Sequence, residues 1–468
     1  MALSEDVFFA PVTELAARIR SRALSPVELT EGFLARIARH NDRFNAFATV
    51  TKDLALSQAR AAEAEIGAGR WRGPLHGMPG GAKDLLATKG IPTGWGTRFL
   101  ADQVFDEDAT VVRRLHEAGA VMLGKTHCVE FAGCLGYRFA NASVAGPGRN
   151  PWNPERWTGG SSSGSGAAVA AGLCAFALGT ETWGSILCPS AFCGLTGLRP
   201  TYGLVSRAGG MVGAYSFDKV GPMARSAADC RIVLDAIQGP DPRDPASSGE
   251  TLALAAGASP PPSRLKAALV PLDWSKTGEP EAKRAFDAAV AALREAGLRL
   301  EEAALPEYPA GEVSGLLITV EALAAFEPFI RDGRVKRLVD DLAWKQWDIA
   351  SPITGADVMK AQRMRFELQG RVDEFFAKYD VIVTPNFKSV APPVAMDLNA
   401  ALPYGDPAGA IGVACGLPAL ALPAGPGRDG LPVSFQLLGA PFSEALLLDL
   451  GEAFQRATQH HRAHPALA

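Results

Sequence analysis

The chain has 468 residues, of which 47% are hydrophobic and 21% charged, and carries a formal net charge of −4. That length and apolar share exclude a disordered or fibrous polypeptide and allow a large core. The nearly balanced charge gives no reason to expect nucleic acid or an anionic membrane surface as a partner.

Met1 to Arg22 lacks a basic start followed by an apolar run, so a secretory signal is not expected and a cytoplasmic location is. Residues 10–69 read as helices. Ser25-Pro26-Val27-Glu28 has the form of a capping box with proline at the first helical position. Leu29, Phe33, Leu34 and Ile37 then recur at helical spacing, and a second helix is expected from Lys52 to Ile66. From Gly73 to Gly239 short apolar runs such as Val121-Met122-Leu123 alternate with helical stretches and Gly/Ser turns, an α/β texture. The Ala- and Gly-rich stretch Gly166 to Gly179 is too short to span a bilayer. Residues 240–263 read as an exposed linker, rich in Pro, Ser, Gly and Asp. A strand is expected at Leu265 to Val270, and helices near 280–297, 311–330 and 354–377. Strand texture returns at Val381 to Pro385, at Pro418 to Pro423 and at Val433 to Leu438, before a last helix from about Ser443. Seven scattered cysteines (128, 134, 174, 188, 193, 230 and 415) form no CxxC pair and read as reduced thiols.

The simplest architecture is one large α/β unit in four stretches. Residues 1–70 are helices packed on the core, and 71–240 form the core itself. Residues 241–375 are a linker and a variable helical cover, and 376–468 return to the core.

Two short patterns mislead. Gly119 to Thr126 matches a phosphate-binding loop letter by letter, but Ala109 to Ala118 reads as helix and Ala-Val-Met-Leu as the strand itself. Its amides would be tied up in a sheet, which disfavours nucleotide binding. Gly160-Ser161-Ser162-Ser163-Gly164 contains the G-x-S-x-G of an α/β-hydrolase elbow, with Ser162 as nucleophile. That elbow follows a buried strand, and Asn153 to Thr158 does not read as one. His460, His461 and His464 stand in the right order to supply its base, yet they lie in a polar tail and read as solvated. No HExxH occurs, and no histidine pair sits at metal-ligand spacing beside a carboxylate, so no metal or cofactor is called for.

Two other segments carry chemistry. In Leu75-His-Gly-Met-Pro-Gly-Gly-Ala-Lys83-Asp84 a lysine stands among small and apolar residues. Gly159 to Gly172 is a Gly/Ser loop feeding an Ala- and Val-rich buried stretch, and Gly179-Thr-Glu-Thr-Trp-Gly-Ser185-Ile-Leu-Cys-Pro189 follows. A Gly/Ser loop entering a buried helix presents free amides and hydroxyls. With Gly124-Lys-Thr126, Arg149-Asn-Pro-Trp152, Pro189 to Gly194, Gly197 to Gly203, Ser206-Arg207 and Gly221 to Arg225, these segments resemble, in order, the amidase signature family. The resemblance is strong over 73–230, partial over 380–455 and thin over 250–375.

The resemblance implies an α/β/α sandwich with a central mixed β-sheet and a helical cover. It also implies a Ser–cis-Ser–Lys triad in which Ser185 is the nucleophile, Ser161 the bridge and Lys83 the base. In the family the bridge is the first serine after the Gly-Gly pair, and the 24 positions from Ser161 to Ser185 match its spacing. A cis peptide at Gly160–Ser161 is implied as well, and an oxyanion hole from the N–H groups of Thr182, Trp183, Gly184 and Ser185. The physics is consistent. A serine hydroxyl attacks only when a base takes its proton, and lysine is a base only when burial favours its neutral form.

The chain departs from the family at Trp183, where many relatives have glycine, and at Leu187-Cys188, where many place an arginine. A pocket formed by Trp183, Leu187 and Cys188 would lack a partner for a substrate carboxylate. The expected function is therefore hydrolysis of a neutral amide, anilide, carbamate or ester through an acyl- or carbamoyl-serine, as in aryl acylamidases and urethanases. The alternatives are an amidotransferase subunit releasing ammonia within a complex, and the Ser162 esterase. The expected partners are a small-molecule substrate and at most a second copy of the chain, with no nucleic acid and no membrane.

Overall fold

The computed structural model describes residues 3–276, 278–350, 352–402 and 405–467, and for residues 346–349 the backbone alone. Its strands are β1 (Phe47–Val50), β2 (Pro79–Lys83), β3 (Val121–Thr126), β4 (Arg149–Asn150), β5 (Asn153–Trp157), β6 (Phe176–Glu181), β7 (Thr196–Arg199), β8 (Lys219–Ala224), β9 (Lys266–Leu269), β10 (Arg299–Glu302), β11 (Val381–Pro385), β12 (Ala419–Pro426) and β13 (Pro432–Gly439). Eleven of them form one sheet in the order β1-β3-β2-β6-β8-β7-β12-β13-β11-β9-β10, and β4 and β5 form a separate hairpin. The β3-β2-β6 pairs and the β11-β9-β10 pairs are parallel, whereas β6-β8-β7-β12-β13-β11 is antiparallel throughout. The fold is the mixed α/β sandwich that the resemblance implies.

The central strands show why helices cover both faces. Along β12 and β13 the side chains alternate, as a period of two requires. Leu420, Leu422, Phe435 and Leu437 point to one face and share a core with Val290, Leu293, Leu447 and Phe454 of helices Pro280–Glu295 and Glu444–Thr458. Ala419, Ala421 and Leu438 belong to a different cluster with Leu187, from helix Leu187–Cys193. Small alanines on that second face let the short helix lie close to the sheet.

Several details differ from expectation. Asn153 to Trp157 is a strand, β5, but a half-exposed one in a hairpin outside the main sheet, so the buried strand of a nucleophile elbow is still absent. The stretch 311–330 is two helices, Ala310–Ala325 and Glu327–Arg331, because Pro328 has no N–H to continue the first. The segment after the linker is more than a helical cover: β9 and β10 extend the main sheet, and β10 escapes a pattern reading because it is a mostly exposed edge. Ser25 caps helix Pro26–Phe44 by accepting the N–H groups of Val27 and Glu28, but its own hydroxyl donates to Glu63. All seven cysteines are free thiols. Among the described residues no helix is long and apolar enough to cross a membrane.

Candidate active site

Three neighbouring segments meet at one end of β2 and β6. β2 ends on Lys83, which is fully buried. The loop before helix Ser163–Ala170 carries Ser161, and the loop after β6 carries Ser185. The Lys83 Nζ donates to Ser161 Oγ at 2.8 Å, to Thr180 Oγ1 at 2.9 Å and to the Thr180 carbonyl at 3.3 Å. The Gly160–Ser161 peptide is cis. The Ser162 N–H donates to the Ser185 carbonyl at 3.2 Å, which sets the two serine loops side by side, and the Val129 N–H donates to the Ser161 carbonyl at 3.1 Å. Ser185 is 7% exposed. Among the described residues its hydroxyl has no hydrogen-bond partner, so it is free to meet a ligand.

Glycine is required at two points of this arrangement. Gly184 sits at φ +81°, which tightens the turn before Ser185. Gly159 sits at φ +84°, and a Cβ there would stand 2.7 Å from the backbone of Pro189. Among the described residues the N–H groups of Thr182, Trp183, Gly184 and Ser185 have no partner within the protein. Four consecutive unpaired donors at a half-open loop are unusual, because buried N–H groups are almost always paired. They form a ready acceptor site for a carbonyl oxygen that gains negative charge.

The electrostatics favour a base. Burial pulls the Lys83 ammonium down to about 8 from its ordinary 10.5. A neutral amine has two N–H bonds and one lone pair. With Thr180 Oγ1 and O taking the two N–H groups, the lone pair is left for the Ser161 hydroxyl.

The remaining predicted residues separate. Trp183 is 38% exposed, and its ring lies between Gly311 of helix Ala310–Ala325 and Gly409 of helix Gly409–Ala414. The ring is therefore partly open to solvent and is not part of a core cluster. Cys188 is almost buried beside Gly160 and Gly184, and burial pushes its thiol up to about 12. Leu187 does not line the cleft. It is 1% exposed and packs with Ala268, Ile382, Ala419 and Leu438, because adjacent helical positions point about 100° apart.

The alternatives lose their geometry. Ser162 Oγ donates to the Thr180 carbonyl at 3.2 Å and accepts the Thr180 N–H at 3.3 Å, a clamp between loop and strand. Of the C-terminal histidines expected to be solvated, His464 is exposed, though its ring stacks on Phe9 with centroids 3.9 Å apart, and His460 is half-buried. His461 departs from the expectation: it is buried and held at about 4. The Gly119–Thr126 pattern lies in β3, paired to β1 and β2, and Lys125 is buried, donating to Thr93 Oγ1 at 2.7 Å and to the Leu86 carbonyl. Among the described residues no group of three or more His, Cys, Asp or Glu is placed to hold a metal ion.

Sequence reasoning missed four residues. Thr180 holds the amine, and Glu181 and Lys219 flank the Ser185 loop. Asp406 accepts the Ala408 N–H at 3.0 Å and a bond from Gln436 Nε2. Its side chain and the Trp183 indole N–H crowd the same point above Gly409, and desolvation raises its carboxyl to about 7. Nothing in a single sequence marks Asp406, since it reaches the site from far along the chain.

Known proteins match nearly the whole chain. A family model described as Amidase matches residues 28–448. A glutamyl-tRNA(Gln) amidotransferase subunit from Moorella thermoacetica is 38% identical over 495 residues, covering 99% of both chains. The native peptide amidase of Stenotrophomonas maltophilia is 31% identical, with a TM-score of 0.82 and coverage of 96% of this chain and 97% of that one. A bacterial aryl acylamidase of the amidase signature family superposes with a TM-score of 0.86 over 99% of this chain and all of its own, at 24% identity, which speaks for the fold alone. The Moorella protein is by its name one subunit of a tRNA-dependent enzyme. That overturns the expectation of a lone enzyme with a small-molecule substrate, no nucleic acid and at most a second copy of itself.

Proposed function

The chain belongs to the amidase signature family, and on that premise we propose that it is the amide-cleaving subunit of an amidotransferase, releasing ammonia inside a complex with protein partners. The observation that supports this best is near-complete coverage at 38% identity with a subunit of that kind, joined to a Lys83–Ser161 contact of 2.8 Å beside Ser185. It is favoured over the urethanase-like reading, whose expected pocket of Trp183, Leu187 and Cys188 loses Leu187 to the core.

Neutral Lys83 accepts the Ser161 proton, and Ser161 takes the proton of Ser185 as its oxygen attacks the amide carbon. The oxygen of the tetrahedral intermediate is received by the N–H groups of Thr182 to Ser185. The proton returns along the same path to the leaving nitrogen, ammonia departs, and water cleaves the acyl-Ser185. Asp406, whose side chain meets the edge of the Trp183 indole above Gly409, stands ready to pair with an ammonium group on the substrate.

The test is to purify the chain alone and together with the remaining subunits of a bacterial amidotransferase, and to measure ammonia release from glutamine. Release is expected to be weak alone, to rise on assembly, and to vanish with Ser185→Ala. Full activity of the isolated chain on aryl amides or carbamates, unchanged by partners, would overturn the proposal.

A further inference from the structure

We propose that Glu181, Arg199 and Lys219 are positioning residues that hold the Thr182–Ser185 loop from beneath and fix the direction of its free N–H groups. This rests on the reading of Ser185 as nucleophile and of that loop as the oxyanion hole.

The loop is pinned at both ends. Downstream, Glu181 Oε2 accepts the N–H groups of Ile186 at 2.8 Å and Leu187 at 3.0 Å, the first donors after Ser185. Its other oxygen accepts from Arg199 Nη1 at 2.9 Å. Arg199 Nε in turn donates to the Leu417 carbonyl at 3.0 Å, and its guanidinium lies so close over Gly412 that a Cβ there would be 2.6 Å away. Upstream, the Thr182 carbonyl accepts from Lys219 Nζ at 3.4 Å, and the Thr182 hydroxyl donates to Asp218. Asp218 is itself fixed by the N–H groups of Gly213 at 2.8 Å and Ala214 at 3.0 Å. Glu181, Arg199 and Lys219 are all buried.

Ionised groups at this depth need a reason. Apolar side chains of the same size usually stabilise a core as well as a buried ion pair does. Here Glu181 does something an apolar residue cannot: it supplies one acceptor atom for two adjacent backbone donors. Burial alone would push its carboxyl up, but Arg199, Lys219 and the two N–H groups outweigh burial and hold it below its ordinary value. The loop does not hold itself, since Gly184 gives it freedom at the point where the donors must converge. Donors that shift by about 1 Å lose much of their effect on a developing oxyanion.

The experiment uses the full chain with glutamine, p-nitrophenyl acetate and a fluorophosphonate probe read by intact mass. Glu181→Gln keeps one acceptor oxygen but loses the charge. It is expected to lower kcat by about 10- to 100-fold on amide and ester alike, with KM within about threefold. The rate of Ser185 phosphonylation should fall in parallel, because that reaction also develops charge on an oxygen. Lys219→Met is expected to behave likewise, and Lys219→Gln, which keeps a donor, to recover most of the loss. An unchanged kcat and labelling rate in a folded Glu181→Gln, or a loss confined to KM, would overturn the proposal. If Glu181→Gln fails to fold, equal losses in the two Lys219 variants would overturn it instead. No adduct on Ser185 in the unsubstituted protein would instead refute the nucleophile assignment, and this proposal with it.

Discussion

Thr180→Val removes one hydroxyl and little else, since the two side chains are nearly isosteric. Thr180 Oγ1 accepts from the Lys83 Nζ at 2.9 Å. A hydrogen bond to a charged group is worth about 1.5–3 kcal/mol and a neutral one about 0.5–1.5. The hydroxyl therefore favours the ammonium over the amine by roughly 1–1.5 kcal/mol, which corresponds to about one pKa unit. Lys83 already stands at about 8 through burial. Without the hydroxyl it should fall to about 7, because the charged form loses more than the neutral one. Activity that needs neutral Lys83 rises with pH through that value, so the rising limb of kcat/KM should move about one unit to lower pH. The plateau should also drop, because one of the two acceptors that direct the amine lone pair toward Ser161 is gone. The assay is kcat/KM for an amide from about pH 5.5 to about pH 10, in the parent and the variant. A limb that stays in place, or moves upward, would refute the assignment of Lys83 as the titrating base held by Thr180.

Ser185→Ala should abolish both turnover and the acyl adduct seen by intact mass, whereas Ser162→Ala should leave the adduct in place. Lys83→Ala should be crippling on amides and milder on activated esters, whose leaving groups need no proton; equal losses would make Lys83 a structural residue. Lys83→Met should raise stability near neutral pH by on the order of 3 kcal/mol, the cost of holding a lysine shifted from 10.5 to about 8. The sign follows from proton uptake: from about 8 up to 10.5 the unfolded chain binds more protons than the folded one. The parent therefore gains stability as pH rises through that window, and denaturant titrations at its two ends should show the difference between the two proteins closing. Asp406→Asn should raise KM for an amide that bears an ammonium group and leave an analogue without it nearly unchanged; equal changes would place the ammonium elsewhere.

The parts of the fold that sequence reveals are the locally determined ones. Gly159 and Gly184 are legible because their positive φ is a demand of the loop itself, met by residues next to each other in the chain. The helix cap at Ser25 and the strand read at Ala120 to Leu123, which runs on to Thr126, are local in the same way. By contrast, β10 is an exposed edge with no alternation to read, and His461 is buried by packing that its polar neighbours do not announce. Leu187 shows the limit most clearly. It stands where many relatives place an arginine, which suggests a pocket wall, but the helix that begins there turns it into the sheet and leaves Cys188 beside Gly184.

The same contrast explains why the proposed triad is easier to assemble from sequence than a specificity pocket. Lys83, Ser161 and Ser185 come from one continuous stretch whose strands β2 and β6 are direct neighbours, so the motif order nearly dictates their meeting. Trp183 and Asp406 meet only because β7 and β12 pair, which brings the chain around Gly409 back over a loop that lies more than two hundred residues earlier. Gly311 comes near the Cη2 edge of the Trp183 ring from the helix that follows β10. A catalytic loop built from neighbouring strands can thus be combined with walls drawn from distant ones. A Cβ at Gly409 would stand 2.7 Å from the indole nitrogen, so substituting that glycine would move the indole without touching the groups that handle protons, and substrate choice in this fold can change while the chemistry stays fixed.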